Sequence, residues 1–144
     1  MSSDQTPSNK AICKRFHDAI NSNNLELIGK TIDELVAPDL LFHAPVPFGE
    51  TGRQALKRVM AVLHQAYPDL HVAIEDVIEE GDKVVARNVV TGTNRGDYMG
   101  RAATGKSVRY SEIFIFRCVN GRVAEIWGVV DVLAQMKQLG VIPA

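Results

Sequence analysis

The sequence predicts an α+β fold, with N-terminal helices packed on a curved, mostly antiparallel sheet so that the two enclose a cone-shaped pocket. Three observations carry this expectation. Apolar residues recur at helical spacing as far as Tyr67 and at strand spacing from Leu70 onward, so helices come first and strands follow. Val108, Tyr110, Glu112, Phe114 and Phe116 share one parity, which gives a long strand an apolar face broken by a single carboxyl. Asn120-Gly121 then separates that strand from a second β-rich run, the pattern of a tight hairpin. Strands of this length twist and curl, and a curled sheet over a helical layer leaves a cavity between them.

The 144 residues read as one domain, with residues 1–6 polar and disordered. Thr6 caps a first helix and Pro7 opens it; Ile12, Phe16, Ala19 and Ile20 carry it to about Asn21. After the Ser22-Asn23-Asn24 turn, Leu25, Ile28, Ile32, Leu35 and Val36 mark a second helix that stops before Pro38. Residues 40–44 form a short strand, and the proline loop at 45–49 leaves the sheet. Thr51 or Gly52 caps a third helix that carries Leu56, Val59, Met60, Leu63 and Tyr67. Leu70, Val72 and Ile74 then alternate with polar or small neighbours, and residues 80–83 make a turn. Residues 84–93 form a strand with Val85, Arg87, Val89 and Thr91 on one face. Residues 94–105 form a glycine-rich loop over the cavity mouth. The hairpin follows, its return strand running from Arg122 to about Val130. Asp131 opens a last helix that Gly140 stops.

Composition removes several classes of function. A formal net charge of −1 gives no electrostatic reason to bind nucleic acid or an anionic membrane. No apolar run reaches the ~20 residues of a membrane span, and the polar first ten residues lack a secretory h-region. Cys13 and Cys118 form no C-x-x-C motif, so a reduced, cytoplasmic protein is the simplest reading. There is no nucleophile elbow, phosphate loop or zinc helix. His17, His43, His64 and His71 are scattered without ligand spacing, so no metal site is expected.

Glu112 and Asp131 are the candidate catalytic residues. Hairpin pairing sets Glu112 roughly opposite residues 128–130, so Asp131 lies one or two residues further along and both carboxyls can reach one substrate. One would be an ionised base and the other a neutral acid; Asp131 is equally a natural helix N-cap. Five residues are candidate substrate contacts. His43 closes the L-L-F-H strand, and Trp127 stands on the return strand as core or ligand platform. Tyr98 and Met99 ride on the loop, where they touch a ligand or simply pack. Arg87 either pairs with Glu112 or Asp131 or snorkels to solvent. The opposite row, with Arg109, Ile113, Ile115 and Arg117, is mixed in character and suits the surface of a homodimer.

From Ala66 to Gly140 the chain carries A-Y-P-D-L, I-E-D-V-I-E-E-G-D-K-V-V-A-R, a V-x-G-T ending at Thr93, T-G-K at Thr104, N-G-R-V-A-E-I-W and D-V-L-A-Q-M-K-Q-L-G. With these motifs it resembles the SnoaL-like polyketide cyclases of the nuclear-transport-factor-2-like superfamily; the first two helices match more weakly. The resemblance implies an α+β barrel, a dimer or higher oligomer, and no metal or organic cofactor. It implies ring closure of a polyketide ester by intramolecular aldol condensation, with an aspartate as acid/base, for which Asp131 is the best match. Gly128 stands where the family often has an aspartate, and Asn94 where it often has a histidine. The expected function is a cofactor-free cyclase or isomerase acting on a small hydrophobic carbonyl compound. The alternatives are an enzyme like limonene-epoxide hydrolase, which needs an Asp–Arg–Asp set, and a non-catalytic small-molecule-binding or oligomerisation module.

Overall fold

The structure, a computed structural model, describes residues 8–44 and 51–143. Three helices, α1 (Asn9–Asn21), α2 (Leu25–Leu35) and α3 (Gly52–Ala66), cover one face of a five-stranded sheet. The strands are β1 (Val36–His43), β2 (His71–Glu80), β3 (Lys83–Thr93), β4 (Ser107–Val119) and β5 (Arg122–Val130), and α4 (Val132–Leu139) ends the fold. Their order is β1-β5-β4-β3-β2. All neighbours are antiparallel except β1 and β5, which run parallel. Register shifts in β2 and at Arg117/Cys118 bend the long strands around the helices.

The order of helices before strands, the curved α+β architecture and the hairpin at Asn120-Gly121 are as the sequence predicts. Three boundaries differ. Ser8 caps α1, accepting from the Ala11 amide at 3.1 Å, and the helix begins at Asn9; Thr6 and Pro7 lie outside the described residues. So do residues 1–6, read as disordered, and the proline loop at 45–49. Val36 is not helical. It starts β1, pairing with Val123, so this strand begins four residues earlier than expected. Pro38 is tolerated because β1 is an edge strand whose register shifts between Val36 and Leu41.

The core lies between the helices and the concave face of the sheet. Ile12, Ile28, Ile32, Leu40, Val84 and Ile126 are almost wholly buried there, each contributing about 1.5–3 kcal/mol by leaving water. Even parity on β4 points inward, as expected: Val108, Tyr110 and Phe116 are buried. Cys13 and Cys118 are both free and buried. No described helix is long and apolar enough to cross a membrane.

Candidate functional site

Between α1, α3 and the concave sheet is a cavity of about 240 Å³. Its wall is largely apolar, with Phe16 and Ile20 from α1, Leu56 and Met60 from α3, and Phe114 and Phe116 from β4. Phe114 reaches it across Gly128, its neighbour on β5. A Cβ at position 128 would lie 2.2 Å from the Phe114 ring, so a glycine is required there and an aspartate would not fit. Five polar side chains join the wall: His17, Tyr98, Tyr110, Glu112 and Gln135. No lysine or arginine does so among the described residues.

Among the described residues Glu112 is the one carboxyl in this wall. It lies mid-strand, between Asn88 on β3 and Val130 on β5. Asn88, fully buried, donates from Nδ2 to Glu112 Oε1 at 3.1 Å. Burial pushes the Glu112 carboxyl up to about 7, and the Asn88 hydrogen bond offsets part of that rise. His17, also buried, donates from Nδ1 to the Cys13 carbonyl at 2.8 Å and receives Asn88 Nδ2 at Nε2, 3.3 Å away. Burial holds its pKa below the ordinary histidine value. Tyr110, two residues from Glu112 on the same face, has its hydroxyl pushed well above the usual tyrosine range, first by burial and then by that carboxyl.

At the loop end, buried Gln135 donates to the Tyr67 hydroxyl at 2.7 Å, and Tyr98 packs edge-on against Tyr67 at 5.8 Å. Asn94 shapes the loop that carries Tyr98. Its side-chain oxygen accepts from the Thr104 amide at 2.8 Å, and its Nδ2 donates to the Gly96 carbonyl at 2.9 Å.

Of the seven residues singled out from the sequence, Glu112, Tyr98 and Met99 line the cavity. The other four do not. Asp131 is exposed and caps α4, accepting from the Ala134 amide at 3.0 Å. Its expected reach into the cavity is thus corrected: the strand ends one residue earlier, and the open amides of the helix claim the carboxylate. Arg87 lies on the convex face, where Asp76 of β2 accepts from it at 2.6 and 2.8 Å; its partner is neither Glu112 nor Asp131. His43 and Trp127 are also convex-face residues, stacked 5.5 Å apart, and His43 Nε2 donates to Glu125 at 2.8 Å. Odd parity on β3, and on β5 from Glu125 onward, turns outward, which removes Arg87 and Trp127 from the pocket together.

Four residues the sequence reading did not select complete the site: His17, Asn88, Tyr110 and Gln135. Asn88 carried a usable signal, a polar side chain in the apolar row Val84, Ala86, Val90. His17 is one turn from Cys13 on the buried side of α1. Among the described residues no three His, Cys, Asp or Glu side chains gather as a metal would need.

An apolar cavity set in a cone of sheet and helices, with one half-buried carboxyl in its wall among the described residues, defines a protein of the α+β barrel class. The model of the SnoaL-like polyketide cyclases matches residues 10–139, and the chain belongs to that family. Solved structures agree. A SnoaL-like polyketide cyclase, so assigned provisionally, from Jannaschia sp. CCS1 is 26% identical with a TM-score of 0.83, 99% of each chain being covered. AclR of Streptomyces galilaeus, provisionally a hydroxylase, is 29% identical with a TM-score of 0.80, covering 94% of this chain and 82% of its own. IdmH of Streptomyces antibioticus, provisionally a polyketide cyclase, is 29% identical with a TM-score of 0.76, covering 91% and 97%. Among proteins of curated function, none matches the chain.

Proposed function

We propose that the cavity binds a small, mostly apolar carbonyl compound and that Glu112 moves a proton on it, as a cofactor-free cyclase or isomerase would. The observation that carries this reading is a half-buried carboxyl in the wall of an apolar cavity, raised to about 7, with no lysine or arginine in that wall among the described residues. Such a group exchanges a proton near neutral pH, where a base does most for catalysis. Tyr110 lies two positions along the same strand face, ~7 Å away at the strand rise, and its hydroxyl is a donor for the oxygen of a developing enolate. The relatives provisionally called cyclases support the class of reaction.

An epoxide-hydrolase site is disfavoured, because no aspartate or arginine lines the cavity among the described residues. A pure binding module would have its carboxyls paired or capped. Asp131 and Asp76 fit that description, and Glu112 does not. The test needs no natural substrate. In D₂O, wild-type protein should speed deuterium exchange at the acidic C–H of cyclic 1,3-diketones and β-keto esters, and Glu112→Gln should abolish the acceleration. Exchange equally fast in the variant would remove Glu112 from the reaction.

The convex face supports a homodimer. The register aligns His43, Trp127, Ile115, Val85 and Ile78 in one cross-strand row, with Ile78 and Val129 exposed. Trp127→Glu should convert a dimeric sedimentation mass to a monomeric one; a wild-type monomer at micromolar concentration would refute the assembly. The two free, buried cysteines fit a reducing cytoplasm.

A further inference from the structure

Glu112 is held from behind by Asn88, which in turn rests on His17. Asn88 presents a single nitrogen to two neighbours, Glu112 Oε1 at 3.1 Å and His17 Nε2 at 3.3 Å. The chemistry of His17 fixes which way that amide points. His17 Nδ1 lies 2.8 Å from the Cys13 carbonyl oxygen, which can only accept, so Nδ1 carries the proton. In the neutral ring Nε2 then offers a lone pair, and a donor must face it. Turning the amide over would set its oxygen against that lone pair and against a carboxylate oxygen. The chosen orientation has a visible cost, since Asn88 Oδ1 is buried without a hydrogen-bond partner among the described residues. A buried amide that gives up its acceptor bond to keep both donor bonds serves as a double donor.

We propose that Asn88 and His17 are positioning residues that give the two oxygens of Glu112 different tasks: Oε1 is anchored by Asn88, and Oε2 exchanges the proton with the ligand. Oε2 makes no hydrogen bond among the described residues, and Glu112 borders the cavity. Asn88 itself does not line the cavity, so it reaches a ligand only through Glu112. His17 does line it, which makes the pair look like an acid–base dyad. Its nitrogens are both committed, Nδ1 to Cys13 and Nε2 to Asn88, so it has no proton to give a ligand. The remaining titratable groups of this wall are Tyr110 on the same strand and Tyr98 on the loop. The donor in the reaction is therefore a tyrosine or Glu112 itself, never His17.

This inference rests on Glu112 as the proton carrier. Its test reads hydrogen bonds and titration instead of turnover, so the two ideas fail separately. In wild-type protein, ¹⁵N spectra of His17 should report the neutral Nδ1–H tautomer at neutral pH and above, and both side-chain amide protons of Asn88 should shift as the Glu112 carboxyl titrates. A ring protonated at Nε2, or an amide blind to that titration, overturns the proposal. Asn88→Leu should raise the Glu112 midpoint by about one pH unit, because a donor that favours the carboxylate is lost. His17→Phe should raise it by less, since it frees the amide without removing it. An unchanged midpoint in a folded Asn88→Leu protein also overturns the proposal, and the wild-type spectra decide the matter if that variant does not fold.

Discussion

Glu112 and Glu125 are the same side chain on the two arms of one hairpin, facing opposite sides of one sheet. Glu125 faces outward, where His43 approaches one oxygen at 2.8 Å and Arg117 donates to the other at 3.0 Å. These partners, His43 foremost, hold it below the ordinary carboxylate range. Glu112 faces inward, where burial holds it far above that range against the pull of its one donor, Asn88. The contrast teaches that burial and partners together decide what a carboxyl can do: Glu125 is a structural anchor held toward its ionised form, whereas Glu112 is poised to change its charge. Asp131, like Glu125, spends its carboxylate on a partner outside the cavity, the Ala134 amide of α4.

The sharpest way to break the comparison is turnover. Once a substrate is in hand, Glu112→Gln should lose ~10²-fold or more in kcat, while Glu125→Gln and Asp131→Asn should leave it near the wild-type value. A large loss in Asp131→Asn would return that residue to the reaction.

Stability as a function of pH should show the next largest effect. The folded value for Glu112 lies above its unfolded one, so the native state binds the extra proton. The penalty for ionising the buried group is then absent below pH ~4.5 and complete above ~7. Denaturant titration should find Glu112→Gln more stable than wild type by up to about 3 kcal/mol at pH 8 and equal to it at pH 4. His17 acts in the other direction. Its folded value is depressed, so its contribution is present above the unfolded value near 6.5 and is lost as pH falls below it. His17→Phe should therefore flatten the acid side of the same curve.

Smallest is the cap. Asp131→Ala should cost about 1 kcal/mol and Asp131→Asn almost nothing, measured by the same titration at neutral pH.

The inward row of β4, the Asn120-Gly121 hairpin and the stop at Gly140 were readable because each is a local pattern of period, turn or cap. Glu112 was readable for the same reason, as a carboxyl in an apolar row. β1 was only half readable: its start at Val36 depends on pairing with Val123, far off in sequence, and Val36 also continues the helical spacing of α2. The parity of residues 84–93 was visible, but which parity faces the helices was not, so Arg87 was weighed as a site residue and Asn88 passed over. Asp131 was the reverse case. Its position after the last strand was correct, and the competition between cavity and helix amides for one carboxylate is decided by backbone direction, which sequence spacing does not contain.

The parallel pairing of β1 with β5 bears on how the protein is made. During synthesis β1 emerges early, between α2 and α3, while the strand that must hydrogen-bond it comes almost last. A chain stalled before Arg122 has Val36 and Leu40 without the β5 residues that cover them, and a cavity whose wall lacks Ile126 and Val130. Completion of the pocket therefore waits for β5. A chain that stops short of that strand leaves the apolar lining uncovered, which makes such truncation products prone to aggregate.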